Sequence, residues 1–233
     1  MIVNGHDYSL CNKCFDKIRW SDDRICQKCG KILAPENLKK YCRDCQSEIH
    51  IFNQGFSCAQ YDEVVADIIR DMKYKDRPHY AKTIAKLMAE RFFAEADVCT
   101  GELPNYDFIV NVPMNSNKKK KRGYDQAALI AKNLATHIDI PYVGKLIERK
   151  RDTLVMSALG LGDRNQNLTD AFNINCDMIK TINDSSLLLV DDVFTTGSTA
   201  DACAKLLYEY GAKKVDVIVF AIGGDMRRND ESF

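Results

Sequence analysis

Residues 187–207 read LLLVDDVFTTGSTADACAKLL, and few folds can accept such a run. Leu187, Leu188, Leu189 and Val190 form a wholly apolar stretch, as expected of a strand buried on both faces. Two adjacent carboxylates, Asp191 and Asp192, follow where that strand should end. A Thr-Thr-Gly-Ser-Thr loop then opens a helical pattern in which Ala200, Cys203, Ala204 and Leu207 share one face. Gly211 is placed to stop the helix. In open α/β sheets, ligands sit beyond the carboxyl ends of strands, where this loop must lie. Thr195, Thr196, Gly197, Ser198 and Thr199 offer hydroxyls and backbone N–H groups at a helix N-terminus, which is an anion cradle. Gly197 lets the backbone close round a phosphate. Asp191 and Asp192, acceptor-only when ionised, suit donors such as vicinal hydroxyls, directly or through a metal. Phosphate donors a few ångströms from hydroxyl acceptors describe a site for a sugar phosphate. The competing reading is a helix cap, since Ser198 and Asp201 have capping-box spacing.

The rest of the body alternates in the same way. Val65, Ile68, Ile69 and Met72 recur at helical spacing, as do Ile84, Leu87, Met88 and Phe92, and later Ala127, Ala131, Leu134 and Ile138. Strands are expected over 108–112, around Tyr142 and Val143, over 187–190 and over 215–222. Strands alternating with helices imply a parallel sheet covered on both sides. With 233 residues against the ~150 usual for one domain, there is room for a second, smaller unit.

That unit is marked by cysteine. Six of the ten cysteines fall in the first 45 residues as three pairs, Cys11 and Cys14, Cys26 and Cys29, and Cys42 and Cys45, each spaced C-x2-C. In a reducing compartment this spacing favours metal over disulfide. A head of residues 1–58 has few large aliphatic side chains and cannot build much of a core. Zinc on four thiolates supplies the missing stability, because each knuckle presents two sulfurs from one tight turn. Gly30 suits the turn after the second knuckle. By spacing alone, Cys26 and Cys29 can pair with Cys42 and Cys45 or with Cys11 and Cys14. A second zinc would need further ligands from His6, His50 or Cys58. A redox role for the CxxC pairs is the rival reading. The expected domains are thus a zinc-ribbon head, 1–58, and an α/β body, 59–233.

Charge and hydropathy exclude some functions. The 33 basic and 33 acidic residues cancel, so bulk charge cannot hold nucleic acid, though a local patch can. The one dense run is Lys118, Lys119, Lys120, Lys121 and Arg122, and Tyr124 follows it. The longest strongly apolar stretch, 215–222, contains Asp216 and is far short of the ~18 residues a membrane span needs. The first ten residues lack the basic and apolar regions of a secretory leader. A cytoplasmic protein without membrane insertion is expected.

The segment 187–199 resembles the phosphoribosyl-pyrophosphate motif of type I phosphoribosyltransferases: four apolar residues, two acids, two variable positions, then Thr-Thr-Gly-Ser-Thr. The resemblance implies that Asp191 and Asp192 hold the ribose hydroxyls and that residues 195–199 wrap the 5-phosphate. It also implies Mg²⁺ on the pyrophosphate, a hard cation bound more by substrate phosphates than by a protein cage.

The wider layout resembles the ComF family, which joins a cysteine-rich zinc ribbon to a phosphoribosyltransferase domain and includes proteins of bacterial DNA uptake. The CxxCG at 26–30 and the stretch 38–45 are similar to its second ribbon. Met72, Lys73, Tyr74, Lys75 and Asp76 resemble its Leu-Lys-Tyr-Arg-Gly segment. Val112 and Pro113, then Arg122, Gly123, Tyr124, Asp125 and Gln126, resemble its Val-Pro and Arg-Gly-Phe-Asn-Gln stretches. Arg149, Thr153, Arg164, Asn167, Ala171 and Phe172 fit its Arg…Thr…Arg-x-x-Asn…Ala-Phe pattern. Departures are Asn111 for a proline, Asp125 for an asparagine, and Met156 for a glutamine. The family's first CxxC is also missing. That loss makes Cys11 and Cys14 look like half of a vanished site, and favours Cys26, Cys29, Cys42 and Cys45 as ligands of a structural zinc.

The family resemblance implies a phosphoribosyl-pyrophosphate-binding protein that handles single-stranded DNA during natural transformation, with DNA-uptake proteins as partners. The alternative is an active phosphoribosyltransferase of nucleotide salvage whose ribbon is purely structural. The loop 113–117 can hold pyrophosphate through backbone N–H groups, and the basic run can close over it as a hood or remain a solvated loop. Arg122 and Arg164 are the expected phosphate contacts, since guanidinium grips phosphate bidentately. No residue stands out as a general base, and catalytic residues are left unassigned.

Overall fold

The structure, a computed structural model, describes residues 10–21, 24–74, 77–96, 100–150 and 171–225. Its centre is formed by the two most apolar runs of the chain. Strand β5 (Ser186–Phe194) and strand β6 (Lys214–Ile222) pair in parallel, from Leu187 opposite Val215 to Phe194 opposite Ile222. Strands β1 (Gly55–Gln60) and β2 (Phe108–Asn111) flank them, also in parallel, giving the order β1-β6-β5-β2. A separate antiparallel pair, β3 (Ile147–Arg149) and β4 (Phe172–Ile174), lies apart from this sheet.

Because side chains alternate along a strand, β5 feeds two cores. Leu188 and Val190 face helices α3 (Glu63–Tyr74), α4 (Tyr80–Phe93) and α6 (Gln126–Ile138), where Val65, Met72, Ile84, Met88, Ile130 and Leu134 are all fully buried. Leu187 and Leu189 face the other way, towards helix α8 (Ser198–Glu209), the β3–β4 pair and the cysteine-rich head. The head therefore serves as part of the second layer of the sheet. Its Cys26, Cys29, Cys42 and Phe52 share one apolar cluster with Leu189, Val217 and Cys203. Each large side chain buried this way contributes roughly 1.5–3 kcal/mol.

Three body carboxylates fasten the head. Asp201 of α8 accepts from His50 Nδ1 at 2.8 Å and from the Ile51 amide at 2.7 Å. Asp216 of β6 accepts from Asn53 Nδ2 and the Gln54 amide, at 2.8 and 3.0 Å. Asp225 accepts from the Arg43 amide at 2.9 Å, Asn37 Nδ2 at 2.8 Å and the Ala34 amide at 3.2 Å. Burial opposes ionisation of Asp225, yet these donors hold its carboxyl below the ordinary range.

Several expectations need correction. Strand β5 runs on through Phe194 instead of ending at Val190, because Asp191 and Val193 stay paired with Val219 and Ala221 of β6. The acid pair therefore sits within the strand. Strand β1 was not anticipated: Gly, Ser, Cys and Ala give its sequence no strand signature, although five of its six residues are buried. Around Tyr142 there is a single parallel bridge to Ile109 in place of a strand. The basic run is a helix, α5 (Ser116–Arg122), and not a loop. Asn115 caps its N-terminus, accepting from the Asn117 and Lys118 amides, and Gly123 ends it at φ 86°. Four cations in the last turn favour that helix electrostatically.

Candidate functional site

At the end of β5 the chain turns into α8 through Gly197, whose φ of 80° is in the left-handed region. A Cβ here would lie 2.5 Å from Phe194 Cζ and 2.6 Å from His50 Cε1, so glycine is required by space as well as by backbone angle. Gly197 is itself the N-cap of α8 and makes no side-chain capping bond. The capping box does not form, because Asp201 turns to His50 and Ile51 of the head. The Thr196 and Ser198 hydroxyls bond to each other, at 3.0 Å. The first N–H groups of a helix lack intrahelical acceptors, and here they open onto a pocket. Asp191 and the loop residues Thr195, Thr196, Gly197, Ser198 and Thr199 all line it.

The two carboxylates lean to different sides of the sheet yet still interact. Asp191 shares the pocket with Val217 and Val219, on the α8 side of the sheet. Asp192, one residue on, points to the α3 side, where its Oδ2 lies 2.5 Å from Lys73 Nζ. Their separation follows from strand alternation, while the Asp192 amide still donates to Asp191 Oδ1 at 2.8 Å. Burial first, and the Asp192 charge second, push the Asp191 carboxyl well above its ordinary range.

Sequence alone gives Lys73 no chemical role, since it stands only within the 72–76 segment that resembles the family. In the structure it pairs with Asp192 from the last turn of α3. Its neighbour Tyr74 lies under Arg122, whose Cζ is 5.2 Å from the ring centroid. Arg122 also reaches Met114 Sδ in the 113–117 loop. Tyr124 donates its hydroxyl to the Met72 carbonyl, so the ring is anchored against α3. Asp125 caps α6 through the Ala128 amide and accepts from the Met114 amide at 3.3 Å, tying the same loop down. Asn111 accepts from the Tyr142 hydroxyl at 2.8 Å. Arg164 and Met156 lie outside the described residues.

On the head, the sulfurs of Cys26, Cys29, Cys42 and Cys45 all lie within 4.8 Å of one another. Cys29 Sγ and Cys42 Sγ are 3.7 Å apart. Zinc–sulfur bonds of about 2.3 Å in a tetrahedron set sulfurs about 3.8 Å apart, so these four residues fit a structural zinc. The Cys45 amide points at Cys42 Sγ, 3.5 Å away, as in a metal knuckle. Gly30 follows with φ 76°, packed against Gly55 of β1. Cys11 and Cys14 form a separate, largely exposed pair. Neither His50 nor Cys58 serves them: His50 is taken by Asp201, and Cys58 is a buried thiol raised to about 12 by desolvation. His6 lies outside the described residues.

A doubly covered parallel sheet that carries an acid pair and a threonine-glycine loop on one central strand is the frame of a phosphoribosyltransferase domain. Residues 125–232 match the phosphoribosyl transferase domain family, and residues 3–46 match the double zinc ribbon domain family. The class is thus a type I phosphoribosyltransferase fold behind an N-terminal zinc ribbon. Relatives match nearly the whole length of the chain. Competence protein F of Haemophilus influenzae is 28% identical over 89% of this chain and 88% of its own. DNA utilization protein YhgH of Escherichia coli is 26% identical, covering 91% and 89%. Competence protein ComFC of Bacillus subtilis is 21% identical, covering 88% and 80%. The chain is thus similar to competence and DNA-utilization proteins over nearly its whole length. No helix among the described residues is long and apolar enough to cross a membrane.

Proposed function

We propose that the protein binds phosphoribosyl pyrophosphate, or a related sugar phosphate, and uses that site in handling single-stranded DNA during natural transformation. The observation that carries the first half is Gly197. Its left-handed backbone starts α8 without a side-chain cap, in one pocket with Thr195, Thr196, Ser198, Thr199 and Asp191. In this reading the loop amides and hydroxyls take the 5-phosphate, and Asp191 accepts from a ribose hydroxyl. Arg122, and Arg164 as the resemblance implies, face the pyrophosphate. Asp192 orients Lys73. Among the described residues the metal-ligating cluster is the four cysteines, so Mg²⁺ would be held chiefly by the ligand's own phosphates, with Asp191 as the available hard donor. Zinc on Cys26, Cys29, Cys42 and Cys45 would hold the head in place.

The DNA half draws on the names of the competence and DNA-utilization relatives and on α5, whose lysines 118–121 are all exposed. A second reading, an active phosphoribosyltransferase of nucleotide salvage with a purely structural ribbon, is favoured by Asp191. A pocket carboxyl held above its ordinary range is the kind of group that can exchange a proton with a substrate.

Isothermal titration with phosphoribosyl pyrophosphate and Mg²⁺ tests the shared claim. Binding without pyrophosphate release across a panel of nucleobase acceptors, together with salt-sensitive single-strand binding, is the expected result. Release with one acceptor and no DNA binding would replace the first reading with the second.

A further inference from the structure

His50 links the zinc ribbon to the loop of the candidate site. Its Nδ1 is 2.8 Å from Asp201 Oδ2, in the first turn of α8, and its ring covers the space that a Cβ on Gly197 would need. The ring is 8% exposed and sits in an aromatic stack: 4.8 Å from Phe52 at 15°, and edge-on to Phe194 at 5.4 Å. Phe52 in turn is fully buried in the cluster that holds Cys26, Cys29 and Cys42. Lys28, between the two cysteines of the second knuckle, donates to the Phe52 and Asn53 carbonyls and lies 5.5 Å from the Phe52 ring centroid. An unbroken series of contacts therefore runs from the metal knuckle through Phe52 and His50 to Gly197 and Asp201.

This series has a chemical consequence. A capping-box residue at Asp201 would ordinarily turn back to the start of its own helix, putting a carboxylate where an anionic ligand must sit. Here the imidazole and the Ile51 amide hold both oxygens of Asp201 away from that end. Remove the head's grip and Asp201 regains the local alternative, competing with phosphate for the same amides.

We propose that His50 is a positioning residue that keeps the α8 anion loop open, and that zinc occupancy of the ribbon and sugar-phosphate binding are thereby coupled. The proposal rests on the reading of this pocket as a sugar-phosphate site. Coupling of this kind is reciprocal, so it has two independent readouts. In the intact zinc-loaded protein, phosphoribosyl pyrophosphate with Mg²⁺ should slow zinc transfer to a chromogenic zinc chelator. His50→Ala should keep its zinc yet bind the ligand more weakly, by about fivefold or more, the low end of usual site-to-site coupling. The ligand should no longer slow zinc release in that variant. His50→Asn, which restores a donor near Nδ1, should recover part of both effects. Asp201→Asn, which removes the competing charge, should restore ligand binding to His50→Ala.

Ligand binding by wild type combined with unchanged affinity and unchanged ligand-dependent zinc release in His50→Ala would overturn the coupling and leave the site intact. If wild type binds neither phosphoribosyl pyrophosphate nor ribose 5-phosphate, the pocket reading falls, and the coupling with it. His50→Asn serves the same comparison if His50→Ala does not fold.

Discussion

Lys73 and Asp192 meet 2.5 Å apart, with the lysine side chain 25% and the carboxylate 12% exposed. The contact ties the last turn of α3 to the strand that carries the acid pair, on the face opposite the pocket that Asp191 enters. Lys73→Met should leave Asp192 a mostly buried charge without its cation, costing about 1–3 kcal/mol. Adding Asp192→Asn should recover most of the loss, as a thermal-denaturation double-mutant cycle would reveal. Equal melting temperatures for wild type and Lys73→Met would show the pair to be energetically silent.

Asp191 should trade stability for binding. Its folded carboxyl is raised, so the fold prefers the protonated form, and stability is lost as pH rises through the folded value. Asp191→Asn removes that penalty. It should raise the melting temperature at neutral pH, about 2–4 °C for each kcal/mol gained, and flatten its fall between acid and neutral pH. The same variant should bind phosphoribosyl pyrophosphate at least roughly tenfold more weakly, from one lost charge-assisted hydrogen bond. Unaltered affinity would remove Asp191 from the site.

Zinc should be present at about one equivalent on four thiolates. Cys42→Ser should release it and loosen the head, since Cys42 is buried within the cluster, whereas Cys11→Ser should not. Metal analysis of the purified variants decides the matter. Full zinc content in Cys42→Ser would refute the ligand set.

For nucleic acid, replacing lysines 118–121 with glutamine should lower single-strand affinity and flatten its salt dependence, since fewer counterions are released per binding event. These side chains are exposed on α5 and none is needed for packing, so melting temperature should hold. Tyr124→Phe should have little effect on DNA, because the hydroxyl and ring are engaged with α3. An undiminished salt slope would move the DNA surface elsewhere.

Much of this molecule is legible in its sequence, and the reason is local. Helix α6, the break at Gly211 and the apolar centre of β5 follow from spacing and residue type within a few positions. The four-thiolate cluster follows from knuckle chemistry, helped by a resemblance that chose among pairings the spacing left open. The turn into α8 at Gly197 is legible because a glycine followed by hydroxyl residues before a helical pattern marks a helix start.

What the sequence could not reveal depends on distant parts of the chain meeting. Strand β1 exists because β6 offers it a hydrogen-bonding edge, which its glycine and serine do not advertise. Strand β5 continues past Val190 because β6 keeps pairing with it, and that continuation sends Asp191 and Asp192 to opposite faces. Asp201, placed by spacing to cap its own helix, bonds instead to His50 and Ile51, some 150 positions earlier. Local pattern measures what a residue can do with its neighbours. Only the packed head and sheet decide which of two satisfied hydrogen-bonding arrangements a carboxylate takes.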